Sequence, residues 1–320
     1  MEAFASPLAL LLERCLGYSP RLVAPIGHPV IWFGWIIDYL ETRLNRTSRT
    51  AEQRRLAGFV ALALLLLLVV VASVAIQQAV RAIPGGWILE VLLATPFLAQ
   101  KELGRAVEVV ATALRTSLAA GREAVSHIVG RDPQALDEAG VARAAIETLA
   151  ESTSDGVVAP WFWLVLLGLP GIALYKAINT ADSMIGHRNE RYRDYGWSAA
   201  KLDDLANWIP ARLTTLLITL ACFWTPHASP TGGWAMARRD ARKHASPNSG
   251  WPEASFAGAL GFRLGGPRSY DGEVVDLPSF GDGKSALAGS DILRALVLYR
   301  VVLNVLLGVS VVVALLVWAA

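Results

Sequence analysis

The chain has 320 residues, 54% of them hydrophobic and only 18% charged, with a formal net charge of +2. A soluble domain carries about 25% charged residues, so the composition argues against a water-soluble enzyme and for a chain that lives in a bilayer. The near-neutral charge, with basic residues in blocks beside apolar segments, gives no footing for nucleic-acid binding. Cys15 and Cys222 lack metal-type spacing and read as inert packing residues.

The opening "MEAFASPLALLLERCLG" has Glu2 where a signal peptide needs positive charge, and its apolar run stops at Glu13 and Arg14, so it is expected to be retained. Residues 28–45, "HPVIWFGWIIDYLETRLN", read as an interfacial helix with Trp32 and Trp35 at headgroup level. Arg43, Arg46, Arg49, Arg54 and Arg55 follow, and the positive-inside rule puts them in the cytoplasm. Four uncharged stretches come next in the chain: 56–80, 157–175, 213–237 and 301–320. The first and last are long enough to span unaided, since a spanning helix needs about 20 apolar residues. The shorter 87–99, with Glu90 and Pro96, fits a tilted span, a re-entrant piece or a core helix.

Residues 101–155 form a polar, Ala-rich segment of helical period, with a turn expected at 131–133 and a helix after it. Residues 238–290 are rich in Gly and Pro and read as a structured loop with a short hairpin around "YDGEVV". Lys and Arg crowd all three polar regions 101–155, 176–208 and 227–294. Single crossings by 157–175 and 213–237 would put the middle region on the opposite side from its neighbours. Either the charge rule fails for that short loop, or the two apolar segments are hairpins broken at "GLPG" (168–171) and "TPHASPTGG" (225–233), and hairpins are the expectation. The fold class predicted is all-α: a single polytopic membrane domain over 1–320, with broken or re-entrant helices and polar segments facing the cytoplasm.

Two polar stripes stand out. On a helix, Lys176, Asn179, Asp182 and Ser183 fall within roughly 120° of arc, on the last turns of an apolar segment. The bland alternative is a lysine snorkelling to the interface. Glu147, Glu151, Ser154 and Asp155 share a second face, expected to end at Gly156. Acids so spaced repel unless a cation or basic partner sits among them, although a solvated acidic face accounts for the spacing equally. Further on, Asp203, Asp204 and Asn207 close another helix. Arg238, Arg239, Arg242, Lys243 and His244 flank "SPNSG" (246–250), a turn whose amides suit an anion. Lipid headgroups attract such a basic cluster just as well. Hard oxygen donors with Lys and Arg suit Mg²⁺-bound polyphosphate. No P-loop is present, because "GDGKS" (281–285) lacks the spacing, and the lone His127 and His187 are poor metal candidates.

The runs "IETLAESTSDGVVAPWFW", "YKAINTADSMIGHRNERYRDYGWSAAKLDDLANWIPARLT" and "RRDARKHASPNSGWPEASFAGALGFRLGG", with "GHPVIWFGWIIDYLETRLNR" before them, resemble the CobD/CbiB family of cobalamin biosynthesis, integral-membrane adenosylcobinamide-phosphate synthases. The resemblance covers residues 8–310 and departs from the family pattern at Ser152, often Asn, and His187, often Tyr. It implies an ATP- and Mg²⁺-dependent ligase of the cell inner membrane, with its active site open to the cytoplasm. That enzyme joins a propionate of the corrinoid adenosylcobyric acid to aminopropanol phosphate or a related amino alcohol. Its partners would be these substrates and the lipid bilayer, with no nucleic acid, and room remains for a homo-oligomer or a complex with other cobalamin-pathway proteins.

On that reading Lys176 contacts phosphate or the activated carboxylate. Asp155, Asp182 and Asp204 hold metal, and Glu147 and Glu151 act as further ligands or as the base. Asn179, Ser183, Asn207, Arg239, Lys243, His244, Ser246 and Asn248 bind the cofactor or substrate phosphate. A corrinoid-binding scaffold, a transporter built on the same half-helices, or a module for anionic lipids are the competing readings.

Overall fold

The computed structural model describes residues 2–17, 27–130, 133–270, 273–275 and 277–320. Thirteen α-helices are found among them. In chain order they are α1 (Ala5–Leu16), α2 (Pro29–Leu44), α3 (Ala51–Arg81), α4 (Trp87–Ala94), α5 (Gln100–Thr116), α6 (Leu118–Ser126) and α7 (Glu138–Thr153). Then come α8 (Ala159–Ile185), α9 (Trp197–Ala206), α10 (Trp208–Ala221), α11 (Pro230–Asp240), α12 (Gly250–Leu260) and α13 (Gly289–Ala319). Among the described residues strands form only two antiparallel pairs, β1 (Leu264–Gly265) with β4 (Ser279–Phe280) and β2 (Arg268–Tyr270) with β3 (Glu273–Val275). The second pair is the hairpin expected around "YDGEVV". Its residues 271–272, like 131–132 of the turn expected before α7, lie outside the described residues.

Among the described residues three helical runs are long and apolar enough to cross a membrane: Ala51–Arg81, Glu138–Ile185 and Gly289–Ala319. The pair Trp197–Ala206 and Trp208–Trp224 makes a fourth if counted as one span. The chain divides into two compact units, one of Met1–Ala99, Ala159–Asn207 and Ser310–Ala320, the other of Gln100–Val158 and Trp208–Val309.

In the first unit, α3 starts at a capping box: Thr50 accepts from the Gln53 amide while the Gln53 side chain takes the Thr50 amide. One side of the helix is lined with buried small residues, Ala57, Gly58 and Ala61, while Leu64, Leu67 and Leu68 are exposed and present an apolar surface suited to lipid. A Cβ at Gly58 would lie 1.8 Å from the Tyr195 carbonyl oxygen, so the chain entering α9 rests directly on α3. That approach is fixed by ion pairs. Arg55 Nε meets Asp194 at 3.1 Å, and Arg191 grips buried Glu41 with two bonds of 3.0 and 2.7 Å.

Helical geometry is interrupted inside α8 at Gly168 (φ 67°, ψ −150°), a conformation open to glycine. A Cβ at Gly171 would lie 2.3 Å from the Trp163 carbonyl oxygen, eight residues earlier. A straight helix would separate these positions by about 12 Å, so the chain departs from a straight helix here. Ala159, Tyr175 and Ala206 consequently share one buried cluster, covered by Trp163, whose indole donates to the Ala206 carbonyl at 3.2 Å.

In the second unit, two sequence expectations are corrected. Gly156 does not end its helix: Ser154–Val158 form a π-turn that carries the chain on into α8. A wider turn absorbs one extra residue without breaking the backbone ladder. Nor is 238–290 a loop throughout, since α12 lies inside it. Pro252 falls in the first turn of α12, where no intrahelical N–H is needed. Gly258 is there for packing: a Cβ would lie 2.2 Å from the Gly232 carbonyl oxygen of α11.

Gly171→Ala is expected to force the backbone of α8 away from Trp163 and to destabilise the protein by about 1–3 kcal/mol, read as a lowered melting temperature in detergent. Gly130→Ala, with nothing within 4 Å of the added Cβ, serves as the control.

Candidate functional site

The chain after the Gly168 turn carries the first polar group. Tyr175, 1% exposed, donates its hydroxyl to Asn207 Oδ1 at 2.9 Å. Asn207 Nδ2 donates to Asp203 Oδ2 at 3.0 Å, and Asn179 Nδ2 reaches Asp203 Oδ1 at 3.4 Å. Asp182 and Asp204 lie within electrostatic reach of Asp203, and Lys201 pairs with Asp204 at 3.5 Å. The stripe of Lys176, Asn179 and Asp182 is half-buried, whereas Ser183 is exposed and bonds back to the Asn179 carbonyl at 2.9 Å. The structure thus gathers Asn179, Asp182, Asp204 and Asn207 around Asp203. Sequence reasoning had noticed that carboxylate and assigned the metal to Asp204 instead.

His28 completes this neighbourhood. Its Nδ1 accepts from the Val30 amide at 3.2 Å, capping α2, and its Nε2 meets the Pro96 carbonyl at 2.8 Å. Those two bonds require the neutral ring with the proton on Nε2. Burial pushes the imidazole below its ordinary pKa, against the Pro96 bond, and the Lys176 charge pushes it the same way. "GHPV" therefore marks a structural cap that also senses Lys176.

The second polar group is in the other unit. Glu147, 4% exposed, accepts the Gly265 amide at 2.6 Å and so anchors β1. Glu151, one turn on, accepts the Ser249 hydroxyl at 2.8 Å. In the π-turn Asp155 is half-buried, and Ser154 is buried with no partner for its hydroxyl among the described residues.

The "SPNSG" turn is self-satisfied. His244 Nδ1 takes the Ser246 amide at 2.9 Å, and Ser246 Oγ takes the amides of Asn248 and Ser249 at 3.2 and 3.3 Å. His244 Nε2 also lies 3.6 Å from Glu253. Asn248 Oδ1 receives Arg212 at 2.9 Å. Arg212, missed in the sequence, lies with its guanidinium 4.5 Å from the Trp208 ring centre and 4.9 Å from that of Trp251. The spacing W-x-x-x-R was the available signal.

Arg239 and Lys243, expected to hold an anion, instead converge on Asp240. That carboxylate is 0% exposed and accepts two bonds of 2.7 Å from Arg239, one of 2.7 Å from Lys243 and the Gly281 amide at 2.8 Å. Arg239 is further held by Asp282 at 3.0 Å. Their charges are taken up by a buried acid three residues or fewer away, which the basic block concealed. Among the described residues no three His, Cys, Asp or Glu side chains are arranged to hold a metal by themselves.

Acids, amides and a lysine held among apolar, membrane-length helices define a polytopic helical membrane protein with a polar interior. Comparison with known proteins makes this specific. The CobD/Cbib protein family model matches residues 6–299, and the chain belongs to that family. It is 48% identical over 305 residues to the "Cobalamin biosynthesis protein CobD" of Brucella anthropi, covering 94% of this chain and 93% of that one. Those of Rhodobacter capsulatus and Rhizobium meliloti are 46% identical over 300 residues (92% and 91% covered) and 45% over 293 (91% and 90%). No solved structure matches the chain.

Burial alone would raise the Asp240 pKa, but the bonds from Arg239, Lys243 and Gly281 outweigh it and hold the carboxyl well below the usual range. The folded state therefore gains stability from this acid above the unfolded value of about 4, and loses it as pH falls through the folded value. Asp240→Asn should lower the melting temperature at pH 7, by a stability loss of about 1–3 kcal/mol. It should also flatten the decline of melting temperature below pH 4.

Proposed function

We propose that the protein serves cobalamin biosynthesis as the ATP-dependent ligase that joins a corrin propionate of adenosylcobyric acid to aminopropanol phosphate or a related amino alcohol. The observation that carries this reading is the Asp203 network with Asn179, Asp182 and Asn207, reached from an α8 that also carries Lys176 one turn before Asn179, in a chain of the CobD/Cbib family. A carboxylate and an amine do not condense in water. The propionate oxygen attacks the γ-phosphorus of ATP and ADP departs. The amine then attacks the acyl carbon, phosphate leaves, and a base takes the amine proton. Each step benefits from fixed charge and from a site that excludes water.

Lys176 holds phosphate charge, its half-buried position favouring an anion over bulk water. Asp182 and Asp204, with Asp203 between them electrostatically, are hard oxygen donors and fit magnesium bound together with nucleotide phosphates. That mode needs one or two protein carboxylates rather than a full protein cage. When bound, the metal neutralises phosphate charge. Asn179 and Asn207 orient Asp203, and Tyr175 orients Asn207. Taken by itself, the second unit offers Glu151 as the better candidate base and Asp155 as an oxygen donor, because Glu147 accepts the Gly265 amide. Ser246 and His244 shape the turn that holds Asn248 and Ser249, so their contribution to substrate binding is indirect. The Arg-rich segment 43–55 supports an inner-membrane orientation with the site open to the cytoplasm. The break in α8 at Gly168 supports a re-entrant reading of that segment.

Purified protein in detergent should hydrolyse ATP to ADP only when cobyric acid and the amine are both present, with one amide formed per ATP. Uncoupled hydrolysis, or corrinoid binding without ATP use, contradicts the ligase. Lys176→Met keeps the stem and removes the charge, so turnover should fall about 10²-fold or more with melting unchanged. Asp203→Asn, which keeps the shape and one of the two bonds accepted from Asn179 and Asn207, should raise the magnesium requirement before it abolishes turnover.

A further inference from the structure

The first unit holds a cavity that the ligase reading leaves unused. It measures about 400 Å³ and is lined by Ser6, Gln77, Arg81, Glu90, Gly168 and Val317, among others. The Glu90 side chain is only 3% exposed; it accepts Gln77 at 2.8 Å and Arg81 at 3.2 Å. The Arg81 side chain is 37% exposed, so the carboxylate lies deep and the guanidinium nearer the mouth. Gly168 turns bare backbone towards them: a Cβ there would lie 2.8 Å from Gln77 Nε2 and 3.5 Å from Glu90 Oε1. Arg81 and Val317 continue into an adjoining recess with Trp87 and Trp318, and Trp318 is 68% exposed.

A buried acid held against the end of a membrane-length helix marks function more often than structure. Arg81 closes α3 at the end opposite the Arg43–Arg55 cluster, and tryptophans at such an end sit at headgroup depth. We propose that this cavity binds the headgroup of a phospholipid carrying a primary ammonium, of the ethanolamine class. The order of groups along such a lipid matches the order along the cavity. Its acyl chains lie on the exposed side chains of Leu166, Leu167 and Val317. Its phosphate meets Arg81 at the mouth, and its terminal ammonium reaches Glu90 in the interior. A quaternary ammonium has no N–H to donate to Glu90, and a glycerol headgroup has no charge for it, so the site discriminates by headgroup.

The test is native mass spectrometry of the full-length protein, delipidated and then offered equal phosphatidylethanolamine, phosphatidylcholine and phosphatidylglycerol, with melting followed in parallel. Phosphatidylethanolamine should be retained about tenfold over the others, the worth of one charge-assisted bond. Glu90→Gln should erase that preference. Val317→Trp, which fills the mouth from an exposed position and leaves the ion pair intact, should also erase it, and it decides the question if Glu90→Gln costs folding. Equal retention of the three lipids, or a preference that survives Val317→Trp in folded protein, overturns the proposal. So does binding of free O-phosphoethanolamine in place of lipid, which would assign the cavity to a soluble amine.

Discussion

The fold depends on one constraint: a carboxylate buried among apolar helices must have its lone pairs filled, because leaving it uncompensated costs several kcal/mol. Several buried acids among the described residues meet that requirement with another segment of the chain, and each of these acts as a staple. Glu41 takes Arg191, 150 residues away, and Asp194 takes Arg55. Glu147 takes the Gly265 amide, Asp240 the Gly281 amide, and Asp291 takes Lys284 at 2.6 Å. Hydrophobic burial distinguishes poorly between one helix register and another inside a lipid-like environment. The staples supply that specificity, and they explain why so many polar residues are tolerated in an apolar chain.

Against that background Asp203 is different in kind. Its hydrogen-bond partners are two neutral amides, Asn179 and Asn207, and its charged neighbours include two further acids. It joins α8 to α9 through neutral amides, where the other acids use a cation or a backbone N–H. It concentrates oxygen donors and negative charge where α8 and α9 meet.

Much of this was legible in the sequence, and what was not has identifiable causes. Helical class, membrane character, the helix over 29–44 and the hairpin strands followed from periodicity and turn chemistry. The stripe at Lys176, Asn179 and Asp182 was visible because three polar side chains share one face of an apolar helix. The helix over 250–260 was hidden because Pro252 and Gly258 look like breakers when their positions are unknown. In place, the first sits where a proline costs nothing and the second is needed for contact with Gly232. The basic block at 238–243 looked like an anion site because charge counts ignore burial. Asp240, buried between Arg239 and Lys243, takes up their charge, a fact that only three dimensions supply. Asp203 and Asp204 are neighbours in sequence, and periodicity alone gave no way to tell which one turns inward.

The glycines connect these two aspects of the molecule. Where polar atoms must be held to within fractions of an ångström, flexible side chains are poor spacers, and backbone resting on backbone is a stiff one. Gly58 lets the Tyr195 carbonyl approach α3, Gly171 lets α8 fold onto Trp163, and Gly258 lets α12 meet Gly232. The first two bear on the Asp203 group directly. The departure from straight helix at Gly168 accompanies the packing of Tyr175 against Ala206 and its bond to Asn207, and the contact at Gly58 sets where α9 begins. The carboxylate network is therefore positioned by close main-chain contacts on both of the elements that carry it. Polar groups mounted on backbone contacts of this kind have their directions set by the main chain and not by side-chain rotamers alone.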